Sequence, residues 1–356
     1  MVPPAAQLVP SPQDPALDRV FRGHRDAVTS VAFCGSAMKQ AVSGSQDGFV
    51  MVWNFAGGKK DRQAFRYIGH TAPVTSVAFN EVNNLIASSS EDKCVRLWKP
   101  AAEGRSTVLK AHTAAVRACA FSANGRMLAT CSDDKTVKVW SVPQHSFLCS
   151  LNGHTNWVRS CQLSPDARLA VSGSDDHTVK VWDVETRAAV STFGELNGSS
   201  ATFTRFHPDG NCVATGGSDG SLKLWDLRSS RIIQYYENNG AVTDAAFHPS
   251  GNFLLSSSMD GTLKIWDLQE GLLFYTLHGH DGPTLGVNFS PAGDHFISGG
   301  VDGQVMSWRT NFDSCLATAA ATCEEARTIA STGSPIGGGG IKQQDHGSYG
   351  GAGDNQ

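Results

Sequence analysis

Three residue types that hydrolases combine recur together in this chain: His24, Ser43 and Asp47; His70, Ser88 and Asp92; His112, Thr130 and Asp134; His154, Ser172 and Asp176; His280, Ser298 and Asp302. An aspartate orienting an imidazole that accepts a hydroxyl proton is the arrangement of nucleophilic acyl transfer. Repetition argues against that chemistry, because an active site needs one exposed, activated nucleophile. Here the same set stands five times, each with its own tryptophan: Trp53, Trp98, Trp140, Trp182 and Trp308. The alternative is a buried chain in which aspartate accepts from histidine, histidine contacts the hydroxyl, and the hydroxyl meets the indole N–H. Such networks fix strand register and turn shape. The sets are therefore expected to be structural, with no catalytic residue and no enzyme activity.

Other candidate chemistry is equally thin. The histidines are too far apart for a zinc cluster and no pair has a familiar ligand spacing. The nine cysteines are odd in number and without C-x-x-C pairs, so they read as small buried hydrophobes in a reducing compartment. Gly337–Gly340, followed by Ile341-Lys342, lacks the form of a phosphate-binding loop. No metal site, cofactor or small-molecule substrate is expected.

The elements that position these residues follow from a period. Tryptophans at 53, 98, 140, 182, 225, 266 and 308 are spaced 41–45 residues apart. Six residues before each stands an aspartate, with Asp219 and Asp260 completing the series, and four before that a serine or threonine, with Thr215 and Ser256. A period near 42 with His, Ser/Thr, Asp and Trp in register is the WD-repeat signature. Runs such as VTSVAF, LAVSGS and TVKVW have strand length and pattern, and FSPAG, FHPDG and Asp-Gly mark tight turns between them. Each period thus specifies a four-stranded blade. LDRVFRG, ahead of His24, matches a fourth strand, whereas none follows Trp308. The reading is an all-β, seven-bladed WD40 β-propeller, closed by the N-terminal strand pairing into blade seven. Residues 1–16 are expected as a flexible leader, 17–312 as the propeller and 313–356 as a Gly-rich disordered tail.

Charge narrows the partners. The net charge is −4 over 356 residues, and the segment from Asp313 holds five acids against Arg327 and Lys342. That leaves 28 acids and 27 bases elsewhere, unlike the net basic domain of a nucleic-acid binder. No basic-plus-apolar leader and no run of about 20 apolar residues points to secretion or a membrane. A cytoplasmic or cytoskeletal protein binding other proteins is expected, with no nucleic acid and no membrane.

Two sets depart from the pattern, with Asn197 and Asn238 in the histidine register, so blades five and six are expected to be locally looser. Arg96, Lys138, Lys180, Lys223 and Lys264 stand two before a tryptophan. Their stems are expected between blades and their charged heads in solvent. In a propeller, the residue before the turn aspartate and the residue five after the histidine crowd one opening of the ring. At the first position stand Gln46, Glu91, Asp133, Asp175, Ser218, Met259 and Val301, and at the second Thr29, Thr75, Arg117, Arg159, Thr202, Thr243 and Leu285. Arginine and tryptophan are enriched at interface hot spots. A partner-binding site is therefore expected around Trp157, Arg117, Arg159, Glu91, Asp133 and Asp175.

FRGHRDAVTSVAF, SDDKTVKVW, FHPSGNFLLSSSMDGTLKIWDL, LLFYTLHGHDGP and VMSWRTNFD together resemble the propeller of the Protein of Centriole One family, over about residues 17 to 313. The resemblance implies a scaffold of centrioles and basal bodies that supports centriole assembly, stability and cilium formation. It also implies contacts with tubulin, microtubule triplets or other centriole-wall proteins. That family usually adds a C-terminal coiled coil, and the residues after Asp313 show no heptads. The competing reading is a substrate receptor or adaptor of a ubiquitin ligase.

Overall fold

The computed structural model describes residues 15–35, 40–55, 64–100, 105–194, 198–310 and Phe312. Residues 1–14, Asn197 and the tail from 313, with the expectations placed on them, lie outside the described residues. Blade one is built from β2 (Val28–Cys34), β3 (Gln40–Ser45), β4 (Val50–Asn54) and β5 (Ala64–Tyr67). Blade two holds β6 (Val74–Asn80), β7 (Leu85–Ser90), β8 (Cys94–Trp98) and β9 (Ser106–Lys110). In blade three are β10 (Val116–Phe121), β11 (Met127–Ser132), β12 (Thr136–Ser141) and β13 (Ser146–Asn152). Blade four consists of β14 (Val158–Leu163), β15 (Leu169–Ser174), β16 (Val179–Asp183) and β17 (Ala189–Phe193). Next come β18 (Ala201–Phe206), β19 (Cys212–Gly217), β20 (Ser221–Asp226) and β21 (Arg231–Glu237) of blade five. Blade six has β22 (Val242–Phe247), β23 (Phe253–Ser258), β24 (Thr262–Asp267) and β25 (Leu272–His278). Finally β26 (Thr284–Phe289), β27 (His295–Gly300) and β28 (Gln304–Arg309) join β1 (Ala16–Arg22) as blade seven.

Each blade is an antiparallel meander, and in blade seven the order β1-β28-β27-β26 closes the ring with the first strand. Val20 pairs with Met306 and Phe21 with Val305 across that seam. The second strand of each blade is buried on both faces, because neighbouring blades cover it from either side. Small residues there are a steric requirement. A Cβ on Gly44 would stand 2.6 Å from Val74 Cγ1 of the next blade, and one on Gly299 2.6 Å from Val28 Cγ1.

A belt of bonds runs around the central channel through every blade junction. Ser30 Oγ accepts from Val77 N (3.2 Å), Cys119 Sγ donates to Ser76 O (3.8 Å), and Cys161 Sγ to Ala118 O (3.9 Å). Gln162 Oε1 accepts from Phe206 N (2.6 Å) and Ser160 Oγ from Thr204 N (2.9 Å). Arg205 then pairs with Asp244 at 2.6 Å, Asp244 accepts from Val287 N at 3.4 Å, and Asn288 Oδ1 accepts from Phe33 N at 3.4 Å. Burial raises the Asp244 carboxyl above its ordinary range, partly offset by Arg205 and by backbone N–H groups. An isolated charge there would be costly, so the arginine is a requirement of the site.

Phe312 ends the described chain and is 1% exposed, packed on Phe253 (4.8 Å between ring centroids), His248 (5.8 Å) and Phe274 (6.1 Å). This aromatic plug belongs to the core cover of blades six and seven. Phe312→Ala is expected to destabilise the propeller by about 3–5 kcal/mol. Denaturant unfolding measures it, and a loss under about 1 kcal/mol would contradict the role of the plug.

Candidate functional site

In the five histidine sets the side chains meet in one chain. In the blade-one set Trp53 Nε1 donates to Ser43 Oγ at 2.8 Å, Ser43 lies 2.7 Å from His24 Nε2, and His24 Nδ1 is 3.0 Å from Asp47. The His70 set repeats this at 2.8, 2.7 and 2.7 Å, and the His154 set at 2.8 Å throughout. His112 joins Thr130 at 2.9 Å and Asp134 at 2.8 Å, with Trp140 on Thr130 at 3.0 Å. His280 joins Ser298 at 2.8 Å and Asp302 at 3.0 Å, with Trp308 on Ser298 at 3.0 Å. All five hydroxyl residues are 0% exposed. A hydroxyl sealed beneath an indole, with a lone pair already taken by its N–H, cannot reach a substrate carbon.

The electrostatics suit a structural lock. Burial is the main influence on His24, His70 and His154 and holds each below its ordinary pKa, against the opposing pull of the paired aspartate. For Asp47, burial alone would raise the carboxyl. The N–H groups of Arg25 and Phe49, together with His24, outweigh it and keep the group ionised. Each aspartate thereby binds the loop entering its blade to the turn between second and third strands.

Blades five and six differ. Trp225 still donates to Thr215 (2.8 Å) and Trp266 to Ser256 (2.9 Å). Asn238 is 8% exposed, however, and both ends of its carboxamide lack a hydrogen bond. The side chain is too short to replace an imidazole. The lysines two before these tryptophans also depart from expectation, because their heads do not reach solvent. Lys223 is 2% and Lys264 7% exposed, with ammonium groups 5.8 Å from the rings of Tyr235 and Trp266. Arg96, Lys138 and Lys180 are half-buried, and Lys138 Nζ donates to Ala111 O at 2.8 Å.

The ring opening has its own order. Each first strand skips one residue in its pairing with the second, and those residues are Thr29, Thr75, Arg117, Arg159, Thr202, Thr243 and Leu285. A bulge frees one side chain from the ladder and re-aims it. Four threonines use that freedom to join blades: Thr29 Oγ1 donates to Val74 O, Thr75 to Val116 O, Thr202 to Val242 O and Thr243 to Thr284 O, at 2.6–2.7 Å. Arg117 and Arg159 take the position in blades three and four and turn to carboxylates. Arg117 meets both oxygens of Asp133 (Nε at 2.9 Å) and Glu91 of blade two at 2.9 Å. Arg159 holds Asp175 through Nε and Nη2 at 2.8 and 2.6 Å, with its guanidinium 5.1 Å from the Trp157 ring.

Trp157 remains 43% exposed beside a cavity of about 450 Å³ lined by Thr29, Gln46, Thr75, Glu91, Arg117, Arg159 and Thr202. All six residues singled out as a partner site therefore fall on one sector of the opening. Met259 and Val301, 48% and 46% exposed, stand on blades six and seven. What the spacing alone did not give is the bulge and the stitching by threonine, since the partner carbonyls lie about 40 residues away.

A WD domain, G-beta repeat model matches residues 16–54, 62–99, 104–141, 145–183, 191–226, 230–267 and 271–309. The WD repeat-containing protein 26 homolog of Drosophila melanogaster is 31% identical over 102 residues, 28% of this chain and 16% of that protein. POC1 centriolar protein homolog A of Bos taurus is 51% identical over 55 residues, 15% of this chain and 12% of that protein. Its Danio rerio counterpart is 53% identical over 53 residues, 15% of this chain and 12% of that protein. The matched stretch thus spans less than a fifth of each of these relatives.

Two outcomes test the locks. A histidine whose folded pKa is lowered contributes stability that is complete above its unfolded value, about 6.5, and is lost as pH falls through the folded value. The denaturation midpoint is expected to drop as pH falls below about 6.5, and His70→Gln with His154→Gln should flatten that drop. A midpoint independent of pH over that interval would count against it. Asn238→His should complete the blade-six chain and raise stability by about 1 kcal/mol, read from the same midpoint.

Proposed function

The chain belongs to the WD domain, G-beta repeat family, and from that premise we propose that it is a protein-binding scaffold of centrioles and basal bodies that docks a centriole-wall protein at the ring opening around Trp157, Arg117 and Arg159. The observation that carries the docking site is the exchange at the bulge: blades three and four give up the threonine that stitches blades together and present paired arginines there instead. Arginines fixed by carboxylates, beside an exposed tryptophan stacked on a guanidinium, are suited to a rigid, preorganised anchor. The WD40 propeller is typically a non-enzymatic scaffold, and the sealed hydroxyls of the histidine sets agree with that role. The centriolar assignment rests on the local likeness to POC1 centriolar protein homologs. Tubulin or microtubule triplets are candidate partners. The near-neutral charge favours contact through the aromatic anchor over a purely electrostatic hold on acidic tails.

Trp157→Ala should leave the unfolding midpoint unchanged and weaken partner binding by at least 2 kcal/mol, about thirtyfold. Fluorescence of the tagged chain in ciliated cells, beside centriole markers, reads the effect. Discrete centriolar signal that fades with Trp157→Ala is the expected result. Diffuse signal from the unaltered chain, or recovery with ubiquitin-ligase subunits in place of centriole-wall proteins, would overturn the reading.

A further inference from the structure

The channel has a second end, where the first strands finish. Strand β14 starts at Val158 beside Trp157 and finishes at Leu163, roughly 20 Å away. Blades one, two, three and six place an alanine at the last channel-facing position, whereas blades four, five and seven place Gln162, Arg205 and Asn288 there. Two adjoining cavities of about 350 and 450 Å³ result, and these three side chains line both. The groups they leave over are donors. Gln162 Oε1 and Asn288 Oδ1 accept from the backbone N–H of Phe206 and Phe33, which fixes both carboxamides. Neither NH2 group has a partner among the described residues. Arg205 gives one N–H to Thr204 O and one to Asp244, and a guanidinium has others. Asp244 offsets that charge, and its own acceptors are taken by Arg205, Ala245 N and Val287 N. Around the mouth stand exposed Pro165, Pro208, Pro249 and Pro291, with half-buried Phe121 and Phe247 beside them.

Unpartnered donors inside a rim of rings fit a ligand whose polar groups are acceptors and whose side chains are rings. A proline-rich strand meets both conditions, since proline has a carbonyl and no N–H. This chain carries one: residues 1–13, MVPPAAQLVPSPQ, hold four prolines and no charged side chain. We propose that residues 1–13 fold back under blade seven and occupy this end of the channel, their carbonyls accepting from Gln162, Arg205 and Asn288. The described chain starts near the mouth. Ala16 pairs with Arg309 and Arg309 with His295, and the turn just before His295 carries Pro291. Three strand spacings of about 4.8 Å put Pro15 within about 15 Å of the channel wall. In the extended form that prolines favour, the segment reaches about 40 Å. Tethering keeps it at an effective concentration in roughly the millimolar range, which a strand of another protein would have to match. The preset backbone angle of proline also lowers the entropy lost on docking. The channel is then filled from within at one end, and the Trp157 end is left for partners.

Fluorescence anisotropy of a labelled peptide of residues 1–13 tests this on two forms of the full chain. One is unaltered, and the other carries Pro3→Ala, Pro4→Ala, Pro10→Ala and Pro12→Ala together, so that its own leader releases the channel. The expected result is binding to the four-proline variant and at least tenfold weaker binding to the unaltered chain, where the site is filled. Adding Gln162→Glu to that variant keeps the oxygen that accepts from Phe206 N but removes the donor, and should weaken the peptide at least tenfold. Val190→Glu, which adds the same charge at a position 62% exposed on β17, should leave binding in place. A peptide that fails to bind the four-proline variant overturns the proposal, as does one that Gln162→Glu does not weaken. Equal binding to both chains overturns it too and assigns the channel to a proline-rich strand of another protein.

Discussion

A four-stranded blade with apolar residues on both faces has no soluble existence alone, so each blade depends on the two beside it and the last depends on the first. That circular dependence explains where the chain places its polar bonds. Around the channel, side chains of the inner strands reach a neighbouring blade's backbone at six of the junctions. In that belt the bond between blades five and six is instead an ion pair, Arg205 with Asp244. A charged bond at that junction is a narrow solution, because removing either partner leaves a buried or half-buried charge without its counterion.

The histidine sets act at right angles to this belt. They hold each entering loop to the turn of the blade it enters, and so keep the ring opening rigid. Blades five and six lack the set as far as the structure describes them, and blade six carries an unsatisfied carboxamide instead. The same two blades hold lysines in near-dry surroundings and the broadest apolar edge. The locks therefore run from blade seven through blades one to four, the arc of the ring that presents Trp157 and the two arginines. A preorganised binding sector within a firmly locked arc loses less entropy when a partner docks.

Much of this was legible in the sequence, for identifiable reasons. Tryptophan and aspartate recur at a fixed interval because each blade solves the same packing problem, so blade number and strand order follow from counting. The seam between β1 and β28 was legible too, since a fourth-strand pattern stood before the first repeat and none after the last. The depth of Lys223 and Lys264 was not. Period two placed them on the tryptophan face, but how far a stem sinks depends on side chains of other strands, which local spacing does not reveal. The belt was also hidden, because serine, cysteine, glutamine, aspartate and asparagine all serve in it and share only their place on the inner strand. A function spread over unlike residues leaves no motif.

The seam has a consequence for how the protein is born. Arg22 and Gln304, joined across it, are 282 residues apart. At roughly 5–20 residues per second, a ribosome leaves the first strand waiting about 15–60 s for its partner. During that interval β1 is an unpaired strand beside a growing row of incomplete blades. Asp18, Arg19 and Arg22 lie on it, and a register shift between Leu17 and Arg19 interrupts its ladder. The strand that completes the ring last is thus poorly suited to pairing with strangers before its own partner emerges.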